Sequence, residues 1–108
     1  MSRPITLVVA LFIYPERRAE FESFETQASE IMSRVGGRIE RRIDCSSKDD
    51  PSAPDEVHLV TFPDVDSYNR YRESSEIKAL ASLRAVAIRK TVVWRGTEVP
   101  AFKKSTAS

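Results

Sequence analysis

His58 is the side chain best suited to acid–base chemistry in this sequence, because it is the only histidine and an unperturbed imidazole titrates near neutrality. It lies in the segment EVHLVTF at 56–62, whose alternation of apolar residues predicts a strand. A hydrogen-bonded structural histidine is the competing interpretation if His58 faces a core. The sequence thus offers His58 as the catalytic candidate and leaves its role open.

Five other side chains are candidates for lining a ligand pocket. Tyr68, Tyr71 and Trp94 would suit an aromatic ligand, although one aromatic residue per element is also ordinary packing. Arg41 and Arg84 would hold a carboxylate or phosphate through paired hydrogen bonds. Arginines on an edge strand also deter aggregation, and an ion pair between subunits is an equally good role for Arg84.

Metal and thiol chemistry have little support in the sequence. One cysteine and one histidine cannot supply the three or four such ligands of a structural zinc site. Cys45 opens a polar loop without a basic cluster beside it, so we interpret it as an incidental thiol. We predict neither a bound metal nor any other cofactor.

Composition indicates one globular domain. Of 108 residues, 41% are hydrophobic and 31% are charged, values that exclude a disordered chain. The net charge of +1 provides no field for nucleic acid or anionic lipid. The apolar run 7–13 is far short of the roughly 20 residues that cross a bilayer, and no cleavage site follows it. We therefore expect a cytoplasmic protein with a domain at 1–99 and a flexible tail at 100–108.

Hydrophobic periodicity predicts two helical regions between four strands. Residues 6–13 (TLVVALFI) indicate a strand buried on both faces, and an amphipathic helix begins at Pro15 and ends at Gly36-Gly37. Residues 38–44 predict an edge strand with Ile39 and Ile43 on one face. After the polar loop 45–55 and the strand 56–62, Asp64 caps a helix to about 74. A second helical stretch covers 75 to about 87, and 89–95 form the last strand.

This order is typical of the ferredoxin-like split βαβ motif, an α+β fold whose four-stranded antiparallel sheet carries its helices on one face. The other face would present apolar residues to water, among them Val57 and Leu59 if His58 faces the helices. Burying about 600 Å² of this face per subunit would contribute about 15 kcal/mol before association costs. We therefore predict a homodimer formed through the open sheet face.

Four segments resemble a domain-of-unknown-function family within the dimeric α/β-barrel superfamily, which also includes the antibiotic-biosynthesis monooxygenases. The segments are 36–38 (GGR), 60–64 (VTFPD), 71–80 (YRESSEIKAL) and 83–84 (LR), and the resemblance covers about 6–99. It implies that two ferredoxin-like subunits pair into an α/β barrel. Members often carry Glu before the Phe-Pro pair and Tyr in the second helix, whereas this chain has Thr61 and Ile77.

Two functions remain open, and the sequence does not decide whether the chain is an enzyme. The first is binding or cofactor-free transformation of a small aromatic or polyketide-like metabolite in a cleft between helices and sheet. The second is a non-catalytic dimeric structural or interaction module. An RNA-recognition domain has the same order of elements, but Val57 and Leu59 occupy its base-stacking positions, so we expect no nucleic-acid partner.

Overall fold

The strands and helices follow the order predicted for a split βαβ domain. A computed structural model describes residues 3–47 and 49–102. In that part of the chain the elements are β1 (Ile5–Ile13), α1 (Arg18–Ser33), β2 (Arg38–Asp44), β3 (Glu56–Phe62), α2 (Val65–Glu73), α3 (Ser75–Lys78), α4 (Ala81–Ala87) and β4 (Ile88–Gly96). The strands predicted at 38–44 and 56–62 are confirmed at both boundaries.

All four strands form one antiparallel sheet in the order β2-β3-β1-β4, so β2 is an edge strand as predicted. Val9 of β1 pairs with His58 on β3 and with Val93 on β4. Residues directly opposite each other share a face of the sheet. This row belongs to the helix-covered face, because His58 is only 2% exposed. The next row contains Val8 and Leu59 and lies on the open face, as predicted for Leu59.

The hydrophobic core lies between α1 and the helix-covered face of the sheet. Phe21, Phe24, Ala28 and Met32 of α1 are buried, which confirms that this helix is amphipathic. Two neighbouring clusters make up the core, one around Phe21 and Leu11 and the other around Phe62. The single subunit therefore buries one side of its sheet, while Val8 on the other side remains 36% exposed. Burial of β1 on both faces remains a prediction that depends on a partner.

The first helix begins at Arg18, so the prediction that it begins at Pro15 is wrong. Pro15 and Glu16 form a turn in which the backbone N–H of Arg17 donates to the carbonyl of Tyr14 at 3.2 Å, and Glu16 has φ 65°. This left-handed conformation cannot continue into a helix. The predicted ending is confirmed, because Gly36 has φ 82° directly after the last turn.

A β-bulge in β2 overturns the predicted facing of its isoleucines. Ile39 pairs with Val60, and the next paired residue on β2 is Arg41, opposite Leu59. The extra residue reverses the alternation, because side chains change face at every residue of a regular strand. Ile39 therefore faces the helices while Ile43 lies on the open face. The same shift turns Arg42 toward the helices, where it pairs with His58 in register.

The second helical region is divided more finely than the sequence indicated. The Asp64 carboxylate accepts a hydrogen bond from the backbone N–H of Ser67 at 2.7 Å, which confirms Asp64 as the cap of α2. The predicted break at 74–75 is also confirmed, since Ser74 is extended and caps α3. The stretch predicted as one helix from 75 to 87 is two short helices, because the turn at 79–80 interrupts it.

The C-terminal segment leaves the sheet after β4. Residues 97–102 have no helix or strand, and Val99 and Phe102 are 77% and 100% exposed. The predicted tail at 100–108 falls mostly outside the described residues, so the division of the chain at residue 99 remains a prediction. Within 3–47 and 49–102, no helix combines the length and apolar character that a membrane crossing requires.

Candidate functional site

A cavity of about 410 Å³ lies between the helices and the helix-covered face of the sheet. Leu7, Val9 and Val60 form part of its floor, and Phe24 and Tyr71 contribute aromatic walls. A few polar groups interrupt this apolar lining, which is the composition typical of a small-molecule site. The polar or charged side chains on the wall are Glu25, His58, Arg72, Arg84 and Thr91, with the Tyr68 and Tyr71 hydroxyls.

His58 is held by β3 between two carboxylates. Its Nδ1 atom lies 3.7 Å from Oε1 of Glu25, and its Nε2 atom lies 3.3 Å from Oε1 of Glu56. Nε2 is nevertheless the one buried side-chain nitrogen or oxygen, among the described residues, without an aligned hydrogen-bond partner. Burial lowers the pKa of His58, and this outweighs the opposite effect of the Glu56 carboxylate. The imidazole is therefore uncharged at neutral pH.

Glu56 is a buried carboxylate fixed by two arginines. Its side chain is 3% exposed and accepts hydrogen bonds from Nη1 of Arg18 at 2.8 Å and Nε of Arg42 at 2.5 Å. Burial raises the pKa of Glu56, but the hydrogen bonds from Arg42 and Arg18 together outweigh burial and lower it. Glu56 therefore remains ionised on the side of His58 that faces away from Glu25.

Glu25 projects from α1 into the cavity, and no arginine of the described residues hydrogen-bonds to it. Its side chain is only 15% exposed. Burial and the nearby Glu56 carboxylate raise the pKa of Glu25 to about 7, although Arg42 and Arg84 act in the opposite direction. At neutral pH this carboxyl group is therefore divided between its protonated and ionised forms, so it can both accept and donate a proton.

Arg84 and Tyr71 complete the polar wall of the cavity. Nη2 of Arg84 donates to the Thr91 hydroxyl at 2.8 Å, a bond that joins α4 to β4. The ring centroid of Tyr71 lies 5.6 Å from that of Phe62. Burial raises the pKa of the Tyr71 hydroxyl above its usual value, and the Glu25 carboxylate adds to the shift. Tyr71 is therefore a neutral hydrogen-bond donor, whereas Arg84 supplies positive charge.

The structure brings four of the six predicted site residues together. His58, Tyr68, Tyr71 and Arg84 all line this cavity. Trp94 and Arg41 do not, because the register places both beside the open face: Trp94 pairs with Val8, and Arg41 pairs with Leu59. These two residues line a separate groove of about 650 Å³ on that face. The candidate site therefore contains His58, Tyr68, Tyr71 and Arg84 but not Trp94 or Arg41.

Two acidic groups of the site were missed in the sequence. Glu25 follows Phe21 by four residues and precedes Ala28 by three, a spacing that places it on the buried side of α1. Glu56 alternates with His58 on β3 and therefore shares its face. Both patterns were visible in the sequence, but a glutamate on a helix with several other acidic residues resembles a solvated one. Among the residues described, no group of three or more His, Cys, Asp or Glu side chains is arranged to hold a metal ion.

Comparison with known proteins identifies relatives by structure alone. No protein-family profile and no curated protein matches the sequence. A protein of unknown function from Rhodopseudomonas palustris superposes with a TM-score of 0.78 at 12% identity, covering 94% of this chain and 86% of that one. SnoaB, a cofactor-independent oxygenase from Streptomyces nogalater, gives 0.71 at 16% identity, with 95% and 100% covered.

A third solved structure, of a candidate antibiotic biosynthesis monooxygenase from Caulobacter crescentus, gives a TM-score of 0.71 at 14% identity and covers 92% of each chain. The chain has a ferredoxin-like fold. This confirms the ferredoxin-like fold of the subunit, and the solved structures include proteins of the monooxygenase group named in the sequence resemblance. The pairing of two subunits into a barrel remains a prediction. At such low identity the likeness concerns the fold and not the activity.

Proposed function

We propose that the chain forms a homodimer in which each cavity binds or transforms a small aromatic or polyketide-like metabolite without a cofactor. The observation that supports this most is the meeting of Glu25, His58 and Arg84 in a cavity with apolar and aromatic walls. A volume of about 410 Å³ is within the range of small-molecule sites. The walls favour a ring system, and the polar groups favour a ligand with oxygen substituents.

One solved structure of similar fold supports the cofactor-free part of this proposal. SnoaB is described as a cofactor-independent oxygenase, so at least one protein of this fold performs chemistry without a cofactor. The acid–base groups in the cavity are compatible with such a role, since Glu25 can exchange a proton near neutral pH.

The open face of the sheet supports the homodimer. The register aligns Leu59, Val8 and Trp94 across three strands, and the adjacent row contains Val57 and Val92. Trp94 is 57% exposed although its indole ring is mostly apolar. A second copy of the same face would cover these side chains, as isologous interfaces do. The cytoplasmic location expected from the sequence remains a prediction.

Binding of 2-naphthol tests the small-molecule function, because this fluorescent bicyclic phenol combines an apolar ring with one oxygen. We expect saturable binding to the wild-type protein. Val93→Phe adds bulk at a residue that lines the cavity and should weaken binding by about tenfold or more. Val86→Phe changes a 45% exposed residue of α4 and should bind like wild type.

Circular dichroism of both variants should match wild type, which separates a blocked cavity from misfolding. If 2-naphthol does not bind, or if Val93→Phe and wild type bind it equally, the cavity is not the ligand site. The non-catalytic dimeric module would then be the better interpretation.

A further inference from the structure

The two nitrogens of the His58 imidazole face different carboxyl groups, Nδ1 facing Glu25 and Nε2 facing Glu56. Glu56 remains an anion beside Nε2, so the neutral imidazole is most stable with its proton on Nε2. The lone pair of Nδ1 then faces Glu25. Glu25 is thus the only carboxyl group that both lines the cavity and lacks an arginine hydrogen bond among the described residues.

We propose that Glu25 is the base that removes a proton from a carbon next to a ligand carbonyl and then returns it, with His58 and Glu56 as positioning residues and Arg84 facing the enolate oxygen. This inference rests on the proposed function, because it requires a ligand in the same cavity. It adds a substrate class, enolisable aromatic or polyketide-like ketones, and a reaction type, proton transfer.

The step requires no oxidant. The C–H bond next to the carbonyl breaks, its proton forms an O–H bond with Glu25, and the electron pair moves into the carbonyl group to form an enolate. The guanidinium of Arg84 stabilises the negative oxygen. Return of a proton from Glu25 to carbon regenerates the ketone, and return to oxygen gives the enol. In D₂O the proton on Glu25 exchanges with solvent, so the carbon acquires deuterium.

Glu25 is better suited to this role than the other ionisable groups of the wall. His58 is 2% exposed, and its Nδ1 faces Glu25 at 3.7 Å. The Tyr71 hydroxyl stays protonated, and Arg84 carries no lone pair that accepts a proton. The Glu25 carboxyl group is the one whose ionised and protonated forms are both present near neutral pH.

The pH dependence follows from the charged and titratable groups around Glu25, which share the cavity wall with Tyr68 and Arg72. Burial and the Glu56 carboxylate raise its pKa to about 7, with a smaller contribution of the same sign from Glu22. Arg42 and Arg84 lower it. On the other walls, His58 is neutral and Tyr71 is protonated. The base is the ionised form, so the rate should rise with pH through a midpoint near 7.

Hydrogen exchange of 2-tetralone in D₂O tests the inference. This ketone has the bicyclic skeleton of 2-naphthol and acidic protons next to its carbonyl, and NMR follows their replacement by deuterium. We expect the wild-type protein to accelerate exchange and Glu25→Gln to reduce that acceleration by about 100-fold or more. Glu30→Gln alters an exposed glutamate of the same helix outside the cavity and should leave the rate unchanged.

Glu56→Gln tests whether Glu56 acts on Glu25 or only stabilises the fold. Removal of the Glu56 charge should lower the pKa of Glu25 and move the midpoint of the pH–rate profile to lower pH. A merely structural role would change the amount of folded protein without moving this midpoint.

The outcomes distinguish the two proposals. If 2-naphthol binds and 2-tetralone exchange is not accelerated, or if Glu25→Gln retains the wild-type rate, the proton-transfer inference is wrong while the small-molecule function stands. If 2-naphthol does not bind, the proposed function fails. Loss of exchange in Glu25→Gln with 2-naphthol binding retained would support both.

Discussion

Two glutamates of the site show how strongly burial and neighbours change the same side chain. Glu56 and Glu25 are both largely buried, and both lie beside His58. Arg18 and Arg42 hydrogen-bond to Glu56 and lower its pKa. No equivalent hydrogen bond reaches Glu25 among the described residues, and burial together with the Glu56 carboxylate raises its pKa to about 7. One residue type therefore provides a fixed anion and a proton-exchanging group in the same cluster.

The raised pKa of Glu25 predicts a loss of stability as pH rises. The unfolded carboxyl group has a pKa of 4.5 and the folded one about 7, so between these values the folded state binds more protons. The free energy of unfolding is therefore highest below pH 4.5, falls between pH 4.5 and 7, and is lower by about 3 kcal/mol above pH 7. Glu25→Gln removes this dependence. We expect the variant to exceed wild type in stability at pH 8 and to equal it at pH 4.5.

Urea unfolding at both pH values and one protein concentration measures this difference. Glu30→Gln serves as the control, because this residue is exposed and its substitution should give the same small effect at each pH. A stability difference between Glu25→Gln and wild type that does not change with pH would contradict the raised pKa.

Local features of the elements decide which side chains reach the site. The bulge in β2 turns Arg42 toward the helices, where it can hydrogen-bond to Glu56. In a regular strand Arg42 and Ile39 would lie on opposite faces, and Arg42 could not reach Glu56. Glu56 would then accept a hydrogen bond from Arg18 alone. At the other end of the cavity, the caps at Asp64 and Ser74 set the start of α2 and α3 and thereby the placement of Tyr71.

The N-cap of α2 offers a test of this local control. Asp64→Ala removes the acceptor for the Ser67 backbone N–H and should lower the free energy of unfolding by about 1 kcal/mol. Asp66→Ala removes a charge from the first turn of the same helix but no capping bond, and should cost only about 0.3 kcal/mol. Urea unfolding of both variants measures the contrast, and equal losses would show that the capping hydrogen bond adds no stability beyond that of a charge in the first turn.

The whole molecule is a sheet covered on one side. Its helix-covered face contains the core and the cavity, whereas its open face presents Val8, Leu59 and Trp94. The two faces alternate along each regular strand, so the same strands that build the cavity also build the proposed interface. Trp94 and Arg41 were predicted as pocket residues, but they lie on the open face, where the interface is proposed.

A charge at the centre of the open face should separate the proposed dimer. Val8→Asp places a carboxylate between Leu59 and Trp94, and burial of this charge in both subunits should weaken association by more than about 100-fold. Analytical ultracentrifugation at micromolar concentration should then detect wild-type dimers and variant monomers. Val86→Asp, on the exposed side of α4, should remain dimeric. A folded wild-type monomer at this concentration would contradict the dimer.

Local patterns were sufficient to predict the order of elements, the strands β2 and β3, the cap at Asp64 and the amphipathic character of α1. These features depend on residues close together in the sequence, whose alternation or helical spacing can be read directly. The start of α1 and the bulge in β2 were not predicted, because a single residue in an unusual conformation leaves little pattern in the sequence.

The cluster at the cavity depends on packing between distant segments. His58 is separated from Glu25 by the second half of α1, the edge strand β2 and the loop 45–55. Neither residue alone indicates that Nδ1 and Oε1 lie 3.7 Å apart. The raised pKa of Glu25 has two causes, its burial and its proximity to the Glu56 carboxylate. Both arise only when α1 packs on the sheet. The sequence therefore specified which chemical groups were available and the order of the elements. Folding specified which groups meet and how strongly each holds its proton, because solvation and charge interactions depend on distances in space.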